Sequence, residues 1–522
     1  MAYPFVDKAQ ILEMLLARDV HRGITSLQHL PKPECLAHNM EGARIVAECI
    51  KKGQEVLVVG DYDADGICAS AVMIHFFRLL GYANMRLIIP HRFDDGYGVS
   101  GALLEKYANN AAVVVSVDNG ITAVCAAKWC KEAGIPLIIT DHHTPTDEIP
   151  NADVIIDPYL PECTFPQKAI CGAVVAWYFC AALKQELGAK VDMSAFLEYL
   201  AIASIGDIMP LVGINRLLVK RGIERLGQIQ TPLAQLLRLK YRHINAQTLG
   251  FYFVPLLNAA GRMASADKAL ALLVCENLTQ ANAIYDELLE LNQMRKATQS
   301  KILQSAHKHL IEREHIVVSY AQGWHEGVLG IVASALANEY GKSAFVFNET
   351  EGVLKGSGRS YGGVNLIASI TSLSEHLLGF GGHSGAVGLS LEVGRLEHFI
   401  ESLQTHLVIE EAGADEVLGI LDSGEIDEEL MRIIERFEPF GAENPTPIFI
   451  CNGLSIESIK PLGNEGKHFE YILYDKNNQT RLVGVEFFAT CKREVGQCGN
   501  VHFELLRDEF KNRLKLKIID FV

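Results

Sequence analysis

The 522-residue chain lacks any apolar run of about eighteen residues, so no membrane-spanning helix is expected. Its first residues, MAYPFVDKAQ, lack the basic start and apolar core of a signal peptide. None of its 12 cysteines forms a CxxC pair; they are scattered singly, as at Cys35, Cys68, Cys171 and Cys275. That pattern excludes a disulfide framework and fits reduced, mostly buried thiols in a cytoplasmic protein. Nor is there any basic excess: 63 acidic against 47 basic residues leave a net charge of −16. As a bulk property this weighs against a polyanionic partner without excluding one, because nucleic-acid binding needs only a local basic footprint. What remains is an ordinary globular composition, 49% hydrophobic and 21% charged, in a chain long enough for two to four domains.

From Glu55 to Thr140 short β-branched runs alternate with amphipathic stretches. Candidate strands are EVLVV (55–59), MRLII (85–89), AVVVSV (112–117) and PLIIT (136–140), followed by DVIID (153–157). Gly81 and Gly134 are placed to end two of the intervening helices. Nearly continuous apolar strands alternating with helices predict an α/β domain built on a parallel sheet covered on both faces. A helical region follows. The stretch from Thr279 to Glu314 has no Gly or Pro and reads as one long connecting helix. A second, smaller α/β unit with glycine-rich segments runs from about His315 to Leu407. The acidic Glu410–Leu430 stretch and a proline-rich turn precede short alternating strands, which predict a C-terminal OB-like β-barrel.

The apolar run Val56–Val59 opens onto Asp61, Asp63 and Asp65. The strand AVVVSV ends in Asp118, and PLIIT ends in Asp141, His142 and His143. Asp207 follows an apolar helix in ASIGDIMPLVG. In a parallel sheet, all these groups converge at the carboxyl ends of the strands. A lone DxDG is often a turn whose Asp caps the next helix; coincidence at successive strand ends argues for more. Two like charges ~4 Å apart repel by about 4 kcal/mol at an effective dielectric of 20. Such a cluster must take up protons or divalent cations. Aspartate mixed with imidazole suits Mn²⁺ or Mg²⁺, and a pair of such ions activates water for phosphoester cleavage.

In that order, GDYDADG, VSVDNGIT, TDHHTP and GDIMPLVG resemble the motifs of the DHH phosphoesterase superfamily. PHRFDDGYG (90–98), VPLLNAAGRM (254–263), WHEGVLGIVAS (324–334), LKGSGRS (354–360) and GFGGHSGAVGLSL (379–391) resemble RecJ-type single-stranded-DNA exonucleases. The resemblance spans about Glu41 to the C-terminus. It implies a DHH catalytic domain over 1–278 with an N-terminal helical extension, a connecting helix over 279–314, a DHHA1 substrate-binding domain over 315–410, and a linker with an OB-like domain over 411–522. Metal ligands would be Asp63, Asp65, Asp118, His142 and Asp207, with Asp118 bridging. Asp61 would assist, His143 would contact the scissile phosphate, and Asp141 would orient the histidines.

Arg92, Arg262, Ser357, Arg359, Ser360 and His383 are implied contacts to substrate phosphates. The glycines of KGSGRS and GFGGHSG would let backbone N–H groups approach a phosphate, in a cleft between the two α/β domains. Phe93 and Tyr97 are candidates for base stacking, against the alternative of plain packing. On the barrel, Lys460, Lys467, Arg481, Lys492 and Arg493 are candidate contacts to the strand. The implied activity is 5′→3′ degradation of single-stranded DNA to mononucleotides with two Mn²⁺ or Mg²⁺, in repair and recombination. A monomer is expected, with single-strand-binding protein and a RecQ-like helicase as partners. The alternatives are an oligonucleotide or cyclic-dinucleotide phosphodiesterase of the same superfamily and a scaffold that has lost catalysis; the acidic positions are all intact here, unlike in the latter.

Overall fold

The computed structural model describes residues 3–522 except 147, 411–416, 463–467, 488, 490–492 and 509–512. It divides into two compact units. One comprises Met1–Pro255, Ala269–Ala283 and Asp415–Val522, the other Leu256–Lys268 and Ile284–Ala414.

The first unit opens with α1 (Lys8–Ala17) and α2 (Asn39–Lys51), then alternates β1 (Val56–Val59), α3 (Ala64–Leu80), β2 (Met85–Ile88), α4 (Gly101–Tyr107), β3 (Val113–Val117), α5 (Val124–Ala133), β4 (Leu137–Thr140) and β5 (Val154–Ile156). The five strands pair in the order β2-β1-β3-β4-β5, all parallel. Every residue of β1, β3 and β4 is buried, as expected of apolar runs covered on both faces. Gly81 and Gly134 end α3 and α5 with φ of 70° and 67°, backbone that glycine adopts without a Cβ clash. Because β1 connects to β2 on one side while β3 lies on the other, the sheet reverses direction between β1 and β3. In open parallel sheets that is the crevice where sites form.

The helical region holds α6 (Gly172–Leu187), α7 (Leu197–Gly206), α8 (Gly213–Gln228), α9 (Pro232–Lys240), the single turn α10 (Ala246–Thr248), a π-turn over Leu249–Phe253, α11 (Val254–Met263), α12 (Asp267–Leu273) and α13 (Leu278–Lys308). The expected helix over 279–314 stops earlier. It ends at Lys308, where basic His307 and Lys308 complement the dipole, and the chain turns into β6 (Ile311–Glu312), which pairs with Val317 and Val318.

In the second unit β6 is followed by β7 (Ile316–Gln322), α14 (Glu326–Tyr340), β8 (Ser343–Thr350), β9 (Val353–Arg359), β10 (Val364–Asn365), α15 (Leu366–Thr371), β11 (Gly379–His383), β12 (Ala386–Glu392), α16 (Leu396–Thr405) and β13 (Val408–Ile409). Its main sheet runs β11-β12-β9-β8-β7-β6. The glycines of KGSGRS prove to be strand residues. Gly356 and Gly358 sit inside β9, paired on both sides with β8 and β12. A Cβ on Gly358 would come within 2.6 Å of the Phe345 ring, and one on Gly356 within 2.1 Å of the Val346 carbonyl oxygen. These glycines make room for the core instead of cradling a phosphate with a loose loop.

The chain then returns to the first unit with β14 (Val417–Ile420), α17 (Glu428–Glu435), β15 (Ile448–Leu462), β16 (His468–Asp475), β17 (Thr480–Glu486), β18 (Cys498–Asp508) and β19 (Arg513–Phe521). Pairing of β15 with β18 closes β15-β16-β17-β19-β18 into a five-stranded barrel. The N-terminal segment joins its core: Val6, Ile11 and Leu15 pack with Leu418, Leu430, Phe449 and Phe503. Val6 N–H donates to the Ile420 carbonyl, and Lys8 pairs with Asp427 at 2.6 Å and Glu429 at 3.1 Å. Among the described residues no helix is long and apolar enough to cross a membrane.

Candidate metal centre and nucleic-acid contacts

The strand ends of the first sheet meet. Asp65, His142 and Asp207 offer atoms within 4.8 Å of one another; so do Asp61, Asp63 and Asp118, and Asp118, His142 and His143. His142 Nε2 lies 3.1 Å from Asp118 Oδ1, 3.5 Å from Asp65 Oδ2 and 3.6 Å from Asp207 Oδ2. Seven of the eight predicted residues of the cluster thus fall in these groups, Asp118 and His142 each in two, and the eighth, Asp141, is bonded to His143 at 2.7 Å.

Backbone geometry aims these side chains. Asp63 is the N-cap of α3 and accepts from the N–H groups of Asp65 and Gly66 through Oδ1. The capping alternative is therefore correct as well, and it leaves Oδ2 for the cluster. Asp118 holds φ at 64°, a conformation that is uncommon outside glycine and concentrates at functional sites. Among the described residues its buried Oδ1 receives no hydrogen bond, with only the His142 ring 3.1 Å away. Gly172 makes this possible, since a Cβ there would stand 2.2 Å from Asp118 Oδ1. The Asp65 carboxylate accepts from the N–H groups of Gly172 (2.6 Å) and Ala173 (2.8 Å) at the start of α6, where the helix dipole favours a negative charge. Asn119 braces the same edge, donating to the Val59 and Val117 carbonyls and accepting from Val99 N–H.

Burial dominates the electrostatics. It raises the Asp118 carboxyl well above its ordinary range, with Asp65 and Asp63 adding to the effect. It does the same for Asp61, with Asp63 next in weight, and raises Asp65 against the pull of His142. Asp207 is pushed up to about 8 by burial and then by Asp65 and Asp63. Burial lowers His142, keeping the ring neutral as a metal ligand requires. His143 behaves oppositely: burial opposes its charge, but the 2.7 Å hydrogen bond to Asp141 carries it to about 9. Burial likewise opposes ionisation of Asp141, yet His143 and the Ile121 N–H hold that carboxyl below its usual range. An orphaned carboxylate oxygen, a neutral imidazole and several carboxylates that cannot all ionise unaided fit a pair of hard divalent cations.

Beside the cluster, the Arg92 guanidinium lies 5.0 Å from the Tyr62 ring, which meets Tyr97 edge-on at 5.9 Å. Tyr97 and Phe93 are 49% and 42% exposed, leaving ring surface open for stacking. Burial raises the Tyr97 hydroxyl well above its usual value, and Asp61 and Asp118 reinforce this. Within the second unit, Arg262 Nη1 donates to the Gly327 carbonyl in the first turn of α14 (3.2 Å). Arg359 lies over the same helix, where a Cβ on Gly330 would stand 2.5 Å from its Nη2. Two guanidiniums thus flank the N-terminal turns of a 15-residue helix. Ser357 lies in β9, His383 Nδ1 accepts from Gly385 N–H, and Ser360 Oγ donates to the Val364 carbonyl.

The barrel cations depart from expectation. Arg493 is turned inward, bonded through both Nε and Nη2 to Glu486 with both side chains under 10% exposed. It is a core ion pair, not a strand contact. Arg481 is likewise paired with Glu457 through two hydrogen bonds. Lys460 lies in β15, and Lys467 and Lys492 fall outside the described residues. Sequence reading missed Tyr62, Asn119, Gly172 and Ala173. Tyr62 was legible as the spacer between Asp61 and Asp63, whereas Gly172 carries no local signal.

Comparison with known proteins gives the same answer along the whole chain. Residues 55–204 match the DHH family N-terminal domain, 313–408 the DHHA1 domain and 419–520 the RecJ OB domain. The single-stranded-DNA-specific exonuclease RecJ of Salmonella typhimurium is 33% identical over 469 residues, 83% of this chain and 80% of that protein. The Escherichia coli protein of the same name is 32% identical over 484 residues, 84% of this chain and 83% of its own. The crystal structure of RecJ in complex with Mn²⁺ from Thermus thermophilus shares a TM-score of 0.82 at 25% identity, covering 100% of this chain and 79% of that one. The chain belongs to the RecJ family of single-stranded-DNA-specific exonucleases.

Proposed function

We propose that this chain is a metal-dependent exonuclease that degrades single-stranded DNA from the 5′ end to mononucleotides, serving repair and recombination in the cytoplasm. The observation that carries it is the convergence of Asp63, Asp65, Asp118, His142 and Asp207 in overlapping groups within 4.8 Å, with Asp118 Oδ1 buried and accepting no hydrogen bond among the described residues. These five residues would hold two Mn²⁺ or Mg²⁺, with Asp118 between them and Asp61 in support. Bound there, such ions supply an activated water and charge neutralisation at the phosphate.

The protein's own groups do the rest. His143, kept protonated by Asp141, donates to an oxygen of the scissile phosphate as negative charge grows on it. Arg262 and Arg359 beside the N-terminal turns of α14 bind a phosphate, aided by Ser357, Ser360 and His383. Arg92, Phe93 and Tyr97 hold the nucleotide next to the cluster by charge and stacking. The barrel gives a longer strand a further surface, which a cyclic-dinucleotide phosphodiesterase would not need. Single-strand-binding protein and a RecQ-like helicase are proposed as partners on the family relationship alone, and a monomer as the acting form.

Digestion of a 40-mer labelled at either end, with Mn²⁺ or Mg²⁺, tests the reading. Labelled mononucleotide should appear at once from the 5′-labelled strand and late from the 3′-labelled one. Release in the opposite order, or hydrolysis of dinucleotides alone, would overturn it.

A further inference from the structure

The chain contains 63 acidic residues, yet none lies between Arg225 and Pro255. Within that stretch Lys240, Arg242 and His243 are exposed. So are Phe251 at 73% and Tyr252 at 63%, which project from the π-turn while its ends, Leu249 and Phe253, are buried. The Tyr241 and Tyr252 rings lie 6.3 Å apart at 37°. The connecting segment is closed by hydrogen bonds, Asn245 accepting from Thr248 N–H and Thr248 Oγ1 donating to the His243 carbonyl. Cations at the end of α9 and aromatics on the π-turn are therefore fixed side by side. Adjacent exposed aromatics leave burial free energy unused, which marks a binding surface more often than chance. π-turns of this kind recur at functional positions.

The patch is anchored next to the metal centre. A Cβ on Gly250 would stand 3.2 Å from Ile205, and one on Gly206 3.4 Å from Val254. The turn that displays Phe251 and Tyr252 thus packs on the end of α7, and the next residue is Asp207. Ile208, which follows, is itself 74% exposed with φ at 53°.

Resting on the hydrolytic reading above, we propose that Lys240, Arg242, Tyr241, Phe251 and Tyr252 form a second landing surface for single-stranded DNA, separate from the barrel. Bases stack on the rings and phosphates pair with the cations. A basic patch in an acidic chain would attract an acidic peptide or a second copy equally well. The paired rings decide for unpaired bases, whose faces a duplex hides.

The test uses the full chain in an Asp118→Asn background, so that DNA bound with Mn²⁺ survives. Phe251→Ala/Tyr252→Ala should weaken binding of fluorescent dT40 by ~tenfold or more, with much less effect on dT6. Lys240→Gln/Arg242→Gln should flatten the slope of log affinity against log salt by about 1.4, from roughly 0.7 per lost contact. Phe251→Tyr/Tyr252→Phe should restore parental binding. Parental dT40 affinity in both loss variants overturns the proposal. So does a parent dimer that Phe251→Ala/Tyr252→Ala dissolves, or displacement of dT40 by decaglutamate that depends on the cations but not the rings. If the chain with Asp118 intact releases no nucleotide, the hydrolytic reading fails, while loss of dT40 binding in the variants would still support the surface.

Discussion

Two regions of the first unit bury carboxylates, and they treat them in opposite ways. In the barrel they are met by the chain's own groups: Arg493 meets Glu486 at 2.9 Å, Lys515 meets Asp508 at 2.8 Å and Lys517 meets Glu504 at 2.9 Å, while Asp475 accepts from the Ser423 hydroxyl and the Asn478 amide. Glu486 also accepts from the Tyr471 hydroxyl. At the sheet edge Asp65, Asp118 and Asp207 surround one neutral histidine, and among the described residues Asp118 Oδ1 receives no hydrogen bond, only the His142 ring at 3.1 Å. Completed pairs are architecture. Charge left unbalanced inside the protein is a demand for something from outside, and at the sheet edge that demand is for cations.

The contrast can be broken most severely at Asp118. Asp118→Asn keeps a residue that tolerates left-handed backbone and should lower kcat by ~10³-fold, several kcal/mol of transition-state stabilisation. The same change should raise the melting temperature of the metal-free protein by about 2 °C, because it removes a buried carboxyl that the fold must otherwise hold protonated. A metal-free protein that melts lower would contradict the unbalanced-charge account. In the barrel the sign reverses: Arg493→Met strands Glu486 and should cost about 3–5 kcal/mol in urea unfolding, most of it recovered in Arg493→Met/Glu486→Gln. Unchanged stability with lost DNA binding would instead make Arg493 a strand contact.

Asp141→Asn should reduce activity by about 10–100-fold, as loss of a histidine's carboxylate partner commonly does. It should also move the alkaline limb of the pH–rate profile down. A histidine raised to about 9 keeps its proton until pH passes that value, and without Asp141 the proton leaves near the ordinary imidazole range, about 6.5. The smallest effect is thermodynamic. Asp207, raised to about 8, binds a proton in the folded metal-free protein where the unfolded chain has released it. Metal-free stability should therefore fall as pH climbs from the ordinary carboxyl range towards 8, while stabilisation by Mn²⁺ grows over the same window by up to about 1.4 kcal/mol per pH unit for each proton displaced. Thermal shifts at pH 6, 7 and 8 with and without Mn²⁺ would show it.

The strands of the first sheet were readable because each is a short apolar run ending at a carboxylate, and the cluster follows once they are parallel neighbours. KGSGRS was misread because glycine signals both a mobile loop and a close contact; Phe345 and Phe347, which decide for the second, lie on another strand. Arg493 looked like a surface cation because the sequence does not show that its guanidinium folds back onto Glu486 at the end of β17. The helix from Leu278 runs only to Lys308 because β7 offers the following residues a strand partner.

Local chemistry in the sequence determined which residue types end which strands, and with them the kind of ion and reaction the centre would take. Tertiary structure alone decided that Gly172 stands back to admit Asp118, that the N–H groups of α6 hold Asp65, and that Val6, Ile11 and Leu15 complete the core of the C-terminal barrel. Strand and helix signals arise from neighbours in the chain, whereas these contacts join residues tens to hundreds of positions apart and exist only once the chain is packed.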